Sequence, residues 1–390
     1  MKDEIQLSND QKIVLDSSLS WVGSKNNGFL TIGGYAGTGK TTLISILRSR
    51  LDKENSKLKV CFCSYTGKAA MVLQEKLRIE GAIHPLDTVS TIHSLIYSPV
   101  VNDREEIVGW EKKENLTCDL VIIDEASMVD DIIWNDLLSF GIPILAVGDH
   151  GQLPPIRGKF ALMQEPMLKL QEIHRQAEGN PIIQLSLLAR QEGRIPVKNY
   201  SDTVRKLSKR ESETGQFVED LFMSWSDDML VLCGYNNTRT RLNGGIRKLF
   251  DLNSPYPEPG DRVICLRNNH ALGIYNGMIG TITDIRSEDE DWYYGKVDFG
   301  ENAVKFKGLM SKEQFNNPES LNHTQDRRKT IDGDLFDFGY AITVHKAQGS
   351  QAPKVVLFEE RFKQMDDDMW RRWLYTAVTR AESELYIIGE

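Results

Sequence analysis

The segment Gly34-Tyr-Ala-Gly-Thr-Gly39-Lys40-Thr41 restricts the folds open to this chain more than any other stretch. It lies between an apolar run, Phe29–Ile32, and an amphipathic one, Thr42–Leu51. In that setting Gly-x-x-x-x-Gly-Lys-Thr reads as a strand, a loop that cradles phosphate and the first turn of a helix. The glycines let backbone N–H groups converge on phosphate oxygens, and the helix N-terminus adds the positive end of its dipole. Lys40 is placed to reach the β- and γ-phosphates of a nucleotide, and the Thr41 hydroxyl to ligate Mg²⁺. Gly37, Thr38, Gly39, Lys40, Thr41 and Thr42 are therefore the expected nucleotide contacts, with ATP and Mg²⁺ as expected cofactors.

A nucleotide hydrolase of this class also needs acidic groups at a strand end, and Leu120-Val-Ile-Ile-Asp124-Glu125 supplies them. Asp124 is the expected second holder of Mg²⁺, and Glu125 the general base that polarises the attacking water. The run Ile144-Leu-Ala-Val-Gly148-Asp149-His-Gly-Gln152 again ends in polar residues, where open α/β sheets place ligands. Gln152 is the expected γ-phosphate sensor.

Short runs rich in Ile, Val and Leu recur at Phe29–Ile32, Val60–Ser64, Leu120–Ile123, Ile142–Val147, Leu230–Cys233 and Lys354–Phe358. Such runs mark strands buried on both faces of a parallel sheet. Asn180–Arg194 and Thr203–Phe222 between them read as helical, so the pattern predicts two α/β domains in tandem. From Pro255 to Asp298 the chain changes character: short strand-like runs alternate with turn signals such as Asn276-Gly277. This predicts a small antiparallel barrel inserted into the second unit, followed by an exposed polar loop, Ser311–Asp334, that carries Arg327-Arg328-Lys329.

Charge narrows the partners. With 47 Lys+Arg against 56 Asp+Glu the chain carries −9, which excludes coating of nucleic acid by bulk charge and confines any such site to a local groove. The 5 cysteines contain no Cys-x-x-Cys pair and the 7 histidines show no metal-ligand spacing with them, so buried thiols in a reducing compartment and no structural metal are expected. The polar start, Met1-Lys-Asp-Glu-Ile-Gln, and the lack of an apolar run approaching the roughly 18 residues of a membrane span predict a cytoplasmic protein, of a bacterial cell or phage-infected host, with no membrane partner.

Eight segments in order carry a resemblance: Gly34–Thr41, Ser64–Ala70, Ser90–Ser94, Val121–Met128, Val147–Pro155, Ile173-His-Arg-Gln176, Tyr340-Ala-Ile-Thr-Val-His-Lys-Ala-Gln-Gly-Ser350 and Leu374-Tyr-Thr-Ala-Val-Thr-Arg-Ala381. Together they resemble the B subgroup of the superfamily 1 helicases, the group of the phage Dda and RecD-type helicases. The resemblance covers nearly the whole chain. It implies an α/β fold of two tandem RecA-like P-loop motor domains, with a small SH3-like β-barrel inserted in the second. The implied boundaries are 1–175 for the first motor domain, 176–254 with 335–390 for the second, and 255–334 for the barrel and its loop.

Residue by residue, the resemblance makes Arg175 and Arg380 the arginines that stabilise charge on the γ-phosphate. It makes Gln11 the reader of the adenine edge, with an exposed polar residue as the plainer alternative. Gly349 joins the nucleotide contacts, and His174 falls where some relatives stack an aromatic on the base. Thr66, Gly67, Lys68, Thr91 and His93 from the first motor domain, and Thr343, His345 and Lys346 from the second, are the implied contacts to the single-strand backbone. Hydroxyls, an amide and a few cations suit phosphate contact without base readout.

Residues 97–112 fall where relatives carry a strand-separating pin hairpin, although the tip here, Asp103-Arg-Glu-Glu106, is charged. Tyr275, Trp292, Tyr293 and Tyr294 of the barrel divide between base stacking and barrel core. The implied activity is ATP-dependent unwinding or translocation on single-stranded DNA, 5′ to 3′, on tailed or forked duplexes, by a monomer with a possible single-strand-binding protein partner. Two alternatives stay open: an ATP-switched single-strand-binding or loading factor without processive unwinding, and a motor on RNA.

Overall fold

All six apolar runs form strands in the computed structural model, which describes residues 7–24, 28–101, 107–155, 160–172, 179–269, 272–300, 305–319, 321 and 333–390. The chain divides into two compact units, Met1–Gln184 and Leu185–Glu390.

In the first unit the order is α1 (Asn9–Gly23), β1 (Phe29–Gly34), α2 (Lys40–Glu54), β2 (Val60–Ser64), α3 (Gly67–Glu80), β3 (Thr88–Thr91), α4 (Ile92–Ile96), β4 (Tyr97–Val101), β5 (Ile107–Lys112), β6 (Leu120–Asp124), α5 (Asp131–Leu138), β7 (Ile144–Gly148) and β8 (Leu168–Leu170). Six of these strands form one sheet in the order β3-β2-β6-β7-β1-β8, with every pairing parallel. Period-two alternation sends Val60 and Phe62 of β2 into one core, with Leu43, Leu47 and Leu73, and sends Cys61 and Cys63 into the other, with Ile92, Ile123 and Trp134. Burial on both faces explains the unbroken apolar runs, each fully buried Leu, Ile or Phe contributing about 1.5–3 kcal/mol. β4 and β5 pair separately as an antiparallel ribbon. The charged tip at 102–106 lies outside the described residues.

The second unit contains α6 (Pro181–Glu192), which begins just before the division, then β9 (Lys198–Asn199), β10 (Val204–Ser208), α7 (Ser212–Met223), β11 (Met229–Cys233), α8 (Asn236–Leu249), β12 (Arg262–Cys265), β13 (Ile279–Ser287), β14 (Trp292–Asp298), β15 (Lys305–Ser311), β16 (Phe336–Phe338), β17 (Ala341–Thr343), β18 (Ala352–Phe358), α9 (Asp367–Val378) and β19 (Ala381–Gly389). The sheet β17-β11-β18-β19-β10-β9 is parallel except at its β10–β9 edge. One expectation is corrected here, because Thr203–Phe222 is not helical throughout: Val204–Ser208 is a strand paired with β19. Its strand signal is hidden by Lys206, which is 1% exposed and ion-paired with Glu359.

The five-stranded antiparallel sheet β15-β14-β13-β12-β16 occupies the region set apart by its turn signals. Its edge strand, Phe336–Phe338, pairs with β12, so the sheet extends past the expected limit of 334. β15 likewise forms across the start of the expected loop, while Arg327-Arg328-Lys329 lies outside the described residues. Trp292 and Tyr293 are buried, and Tyr275 and Tyr294 half-buried. All 5 cysteines are buried and unlinked. Among the described residues, no helix is long and apolar enough to cross a membrane.

Candidate nucleotide and nucleic-acid site

β1 ends at Gly34 and α2 begins at Lys40, so the intervening loop must reverse direction within a few residues. It does so through left-handed backbone at Gly37 (φ 81°) and Gly39 (φ 75°), conformations that a side chain disfavours. Lys40 Nζ donates to the carbonyls of Gly34 at 2.8 Å and Tyr35 at 3.0 Å, and lies 3.9 Å from Asp149 Oδ2. Thr38 is buried, whereas Thr41 and Thr42 are half-buried in the first turn of α2.

Gln11 is not an exposed polar residue, being only 1% exposed. Its Oε1 accepts from Ser8 N at 3.0 Å, closing a capping box at the start of α1, and its Nε2 donates to Thr38 O at 3.0 Å. The helix cap and the phosphate loop thus share one side chain. Nearby, Asp10 Oδ2 accepts from the backbone amides of Gln171 at 2.7 Å and Glu172 at 2.8 Å. Ile173-His-Arg-Gln176, with His174 and Arg175, lies outside the described residues.

Asp124 closes β6 and is half-buried. Burial first, and next the adjacent Glu125 carboxylate, raise its pKa to about 6, against the partial offset of Lys40. Glu125 N donates to Asp124 Oδ1 at 2.9 Å. Glu125 itself sits at φ 56°, unusual for a residue with a side chain, and its buried Oε2 has no hydrogen-bond partner among the described residues. The Asp124 and Glu125 carboxyls, the latter with an unpartnered oxygen, and the threonine hydroxyl at the head of α2 are all oxygen donors, the type that suits a hard divalent cation such as Mg²⁺. No group of three or more His, Cys, Asp or Glu gathers among the described residues, so phosphate oxygens and water would complete the shell.

Ser64 pairs in register with both Thr91 and Asp124, which brings the carboxyl ends of β2, β3 and β6 level. Thr66 caps α3, its side chain accepting from Ala69 N at 3.2 Å, and Thr91 caps α4, accepting from Ser94 N at 3.1 Å. Gly67 is buried in the first turn of α3, with Lys68 half-buried beside it. His93, on α4, contacts Tyr97 at 4.7 Å and Trp110 at 4.6 Å between ring centroids. Gln152 is 5% exposed, its Nε2 3.5 Å from Asp149 Oδ2.

In the second unit Thr343 ends β17, paired with Cys233 of β11, and its hydroxyl accepts from Lys346 N at 3.4 Å. Burial lowers the pKa of His345; burial first and then the Arg239 charge lower that of Lys346, against Asp337. Gly349 takes φ 72°. Arg380 is 2% exposed and donates to Thr376 O at 3.0 Å, Ser350 O at 3.0 Å and Thr379 Oγ1 at 3.2 Å. The Gly349–Ser350 turn and Arg380 therefore meet within one unit.

Sequence reasoning assigned no role to Asp149, although it follows a buried strand as Asp124 does and that signal was available. The contact of Tyr35 with His150, 4.1 Å between ring centroids, carries no sequence signal. Nor does the pairing of Arg239 with Asp337, or that of Asn243 with the backbone of Phe338 and Ala341.

A sequence model of the AAA domain matches residues 6–209, more than half of the chain, and one of the UvrD-like helicase C-terminal domain matches 338–388. The chain belongs to the AAA-domain family, and it resembles the superfamily 1 helicases. The ATP-dependent RecD2 DNA helicase of Deinococcus radiodurans is 29% identical over 98% of this chain and 49% of its own length. The chain thus spans about half of that relative. The ATP-dependent DNA helicase Pif1 of Campylobacter jejuni is 26% identical, over 90% of this chain and 86% of its own. A solved Pif1 helicase from Bacteroides, in complex with ADP-AlF3 and ssDNA, shares the fold with a TM-score of 0.56 at 18% identity, covering 98% of this chain and 92% of that one.

Proposed function

We propose that the chain is an ATP-driven helicase and translocase on single-stranded DNA, moving 5′ to 3′ on tailed or forked duplexes and acting as a monomer. One observation carries the proposal. Lys40, Asp124, Glu125, Asp149 and Gln152 share the carboxyl edge of one parallel sheet with Thr66, Gly67, Lys68, Thr91 and His93. A nucleotide set and a strand-contact set on one rigid edge can bias each other directly. The direction rests on the resemblance to the helicase subgroup.

In this reading the two mainly parallel sheets are RecA-like motor domains, and the antiparallel sheet is an SH3-like insertion that guides the strand. Lys40 exchanges the neutral carbonyls of Gly34 and Tyr35 for charged phosphate oxygens, which are stronger acceptors. Thr41 and Asp124 would hold Mg²⁺, which would supply neutralisation of phosphate charge. Glu125 polarises the attacking water, Gln152 senses the γ-phosphate, and Arg175 and Arg380 spread their donors over the developing charge. Gln11, Gly349 and the loop residues Gly37 to Thr42 complete the nucleotide contacts. Thr343, His345 and Lys346 grip the strand from the second motor domain, so that nucleotide-driven alternation of grip yields a step.

The test measures ATPase with poly-dT, with poly-rU and without polymer, then unwinding of forked, 5′-tailed and 3′-tailed duplexes. Strong poly-dT stimulation with unwinding of forked and 5′-tailed substrates is expected. A slow, unstimulated rate would point to a switched loading factor instead, preference for poly-rU to an RNA motor, and unwinding of 3′-tailed duplex alone to the opposite polarity. Lys40→Ala should abolish turnover while strand binding remains.

A further inference from the structure

We propose that Trp110, with Pro99 beside it, forms a stacking platform for one nucleobase of the bound strand, at the foot of the β4–β5 ribbon. The inference rests on the strand-binding reading above and adds a contact of a different kind, since the residues assigned to the strand so far are suited to its phosphates.

Pro99 and Trp110 lie directly opposite each other in the ribbon, as do Tyr97 and Lys112. Opposed residues of an antiparallel pair share a face, so Tyr97, Pro99 and Trp110 line one side. Pro99 is exposed and Trp110 keeps 40% of its surface in solvent, which for an indole is on the order of 100 Å². The indole meets the His93 ring edge-on, at 4.6 Å and 83°, and His93 lies 4.7 Å from Tyr97. One side of Trp110 is therefore braced against the candidate strand contact His93, two residues after Thr91.

A two-stranded ribbon is marginal alone, yet this foot is pinned. Lys113 N donates to Ile96 O at 2.9 Å, Lys113 Nζ donates to the carbonyls of Ser94 at 2.8 Å and Leu95 at 3.0 Å, and the Tyr97 hydroxyl donates to Asp136. The proline fixes its own backbone angle. A large aromatic surface is thus held in place beside a phosphate-contact edge, with Lys112 and Lys113 following it. That combination suits a base whose phosphate is gripped by Thr91 and His93, and stacking accepts any base, which agrees with sequence-independent binding.

The experiment compares wild-type chain, Trp110→Ala and Trp110→Phe for binding to an oligo-dT of about one footprint, ~8 nucleotides, and to an all-abasic oligonucleotide of equal length. Polymer-free ATPase serves as the check on folding, because Trp110 has no part in the nucleotide set. Trp110→Ala should weaken oligo-dT binding by roughly 5- to 150-fold, the range for loss of one base–aromatic stack. It should leave abasic binding within about twofold of wild type, and Trp110→Phe should recover most of the loss. Equal weakening on both oligonucleotides would make Trp110 a brace for His93 and overturn the platform; no weakening on either would overturn it as well. Failure of the wild-type chain to bind oligo-dT at all would instead sink the strand-binding reading, and the platform with it.

Discussion

Arg247 of α8 and Asp261 at the entry to β12 form a buried two-pronged ion pair, Nε to Oδ1 at 2.7 Å and Nη2 to Oδ2 at 2.9 Å. The Tyr340 hydroxyl donates to the same Oδ1 at 3.1 Å, and Arg247 also donates to the carbonyls of Ser254 and Tyr256. The pair fastens the antiparallel sheet to the helix that precedes it. Asp261→Ala would leave a guanidinium buried without its counter-charge, a loss of about 3–5 kcal/mol. Chemical denaturation should show it, whereas a drop of under about 1 kcal/mol would mean that water reaches the site.

Glu125 combines left-handed backbone with a buried carboxylate oxygen that lacks a partner, and both features oppose folding. Glu125→Gly should therefore leave stability unchanged or raise it by about 1 kcal/mol, while turnover falls at least about 100-fold. A variant that loses stability and keeps its ATPase would remove Glu125 from the base role.

Burial, followed by the charge of Arg239, disfavours the ammonium of Lys346, so the folded state carries this cation at a net loss. Lys346→Met keeps the apolar stem and removes the charge. Thermal unfolding should shift upward by about 1–4 °C while affinity for oligo-dT falls several-fold. An upward shift with unchanged strand affinity would assign Lys346 no part in binding.

His345 has its folded-state pKa lowered from 6.5 by burial. Above 6.5 both states are neutral and the group is silent; as pH falls below 6.5 the unfolded chain takes up a proton that the folded chain resists, so stability is lost downward from there. His345→Gln should flatten that acid limb relative to the parent in denaturation series at stepped pH. Parallel curves for the two proteins would show that His345 is freely protonated in the fold.

Much of the site is legible along the chain, because phosphate chemistry demands particular residues at fixed spacing between a strand and a helix. Gly34 to Thr41 and Asp124-Glu125 are readable for that reason. The strand at Val204–Ser208 is hidden because Lys206 is tolerated inside a sheet by virtue of Glu359 and the carbonyl of Glu390, both distant in sequence. The short strand Phe336–Phe338 looks like the end of a loop until β12 is beside it. Tyr35 against His150, and Trp110 against His93, depend on which strand ends the sheet order brings together.

The sequence alone determined the chemistry: a phosphate loop, an acidic strand end and a family of motifs, each local enough that bonded geometry holds its residues in place. Only the tertiary structure decided that Gln11 is buried and shared between a helix cap and the loop, that Glu125 is strained, and that the antiparallel sheet hangs on Arg247 and Asp261. Burial and charge pairing are properties of the environment that distant residues create, so no single segment contains them.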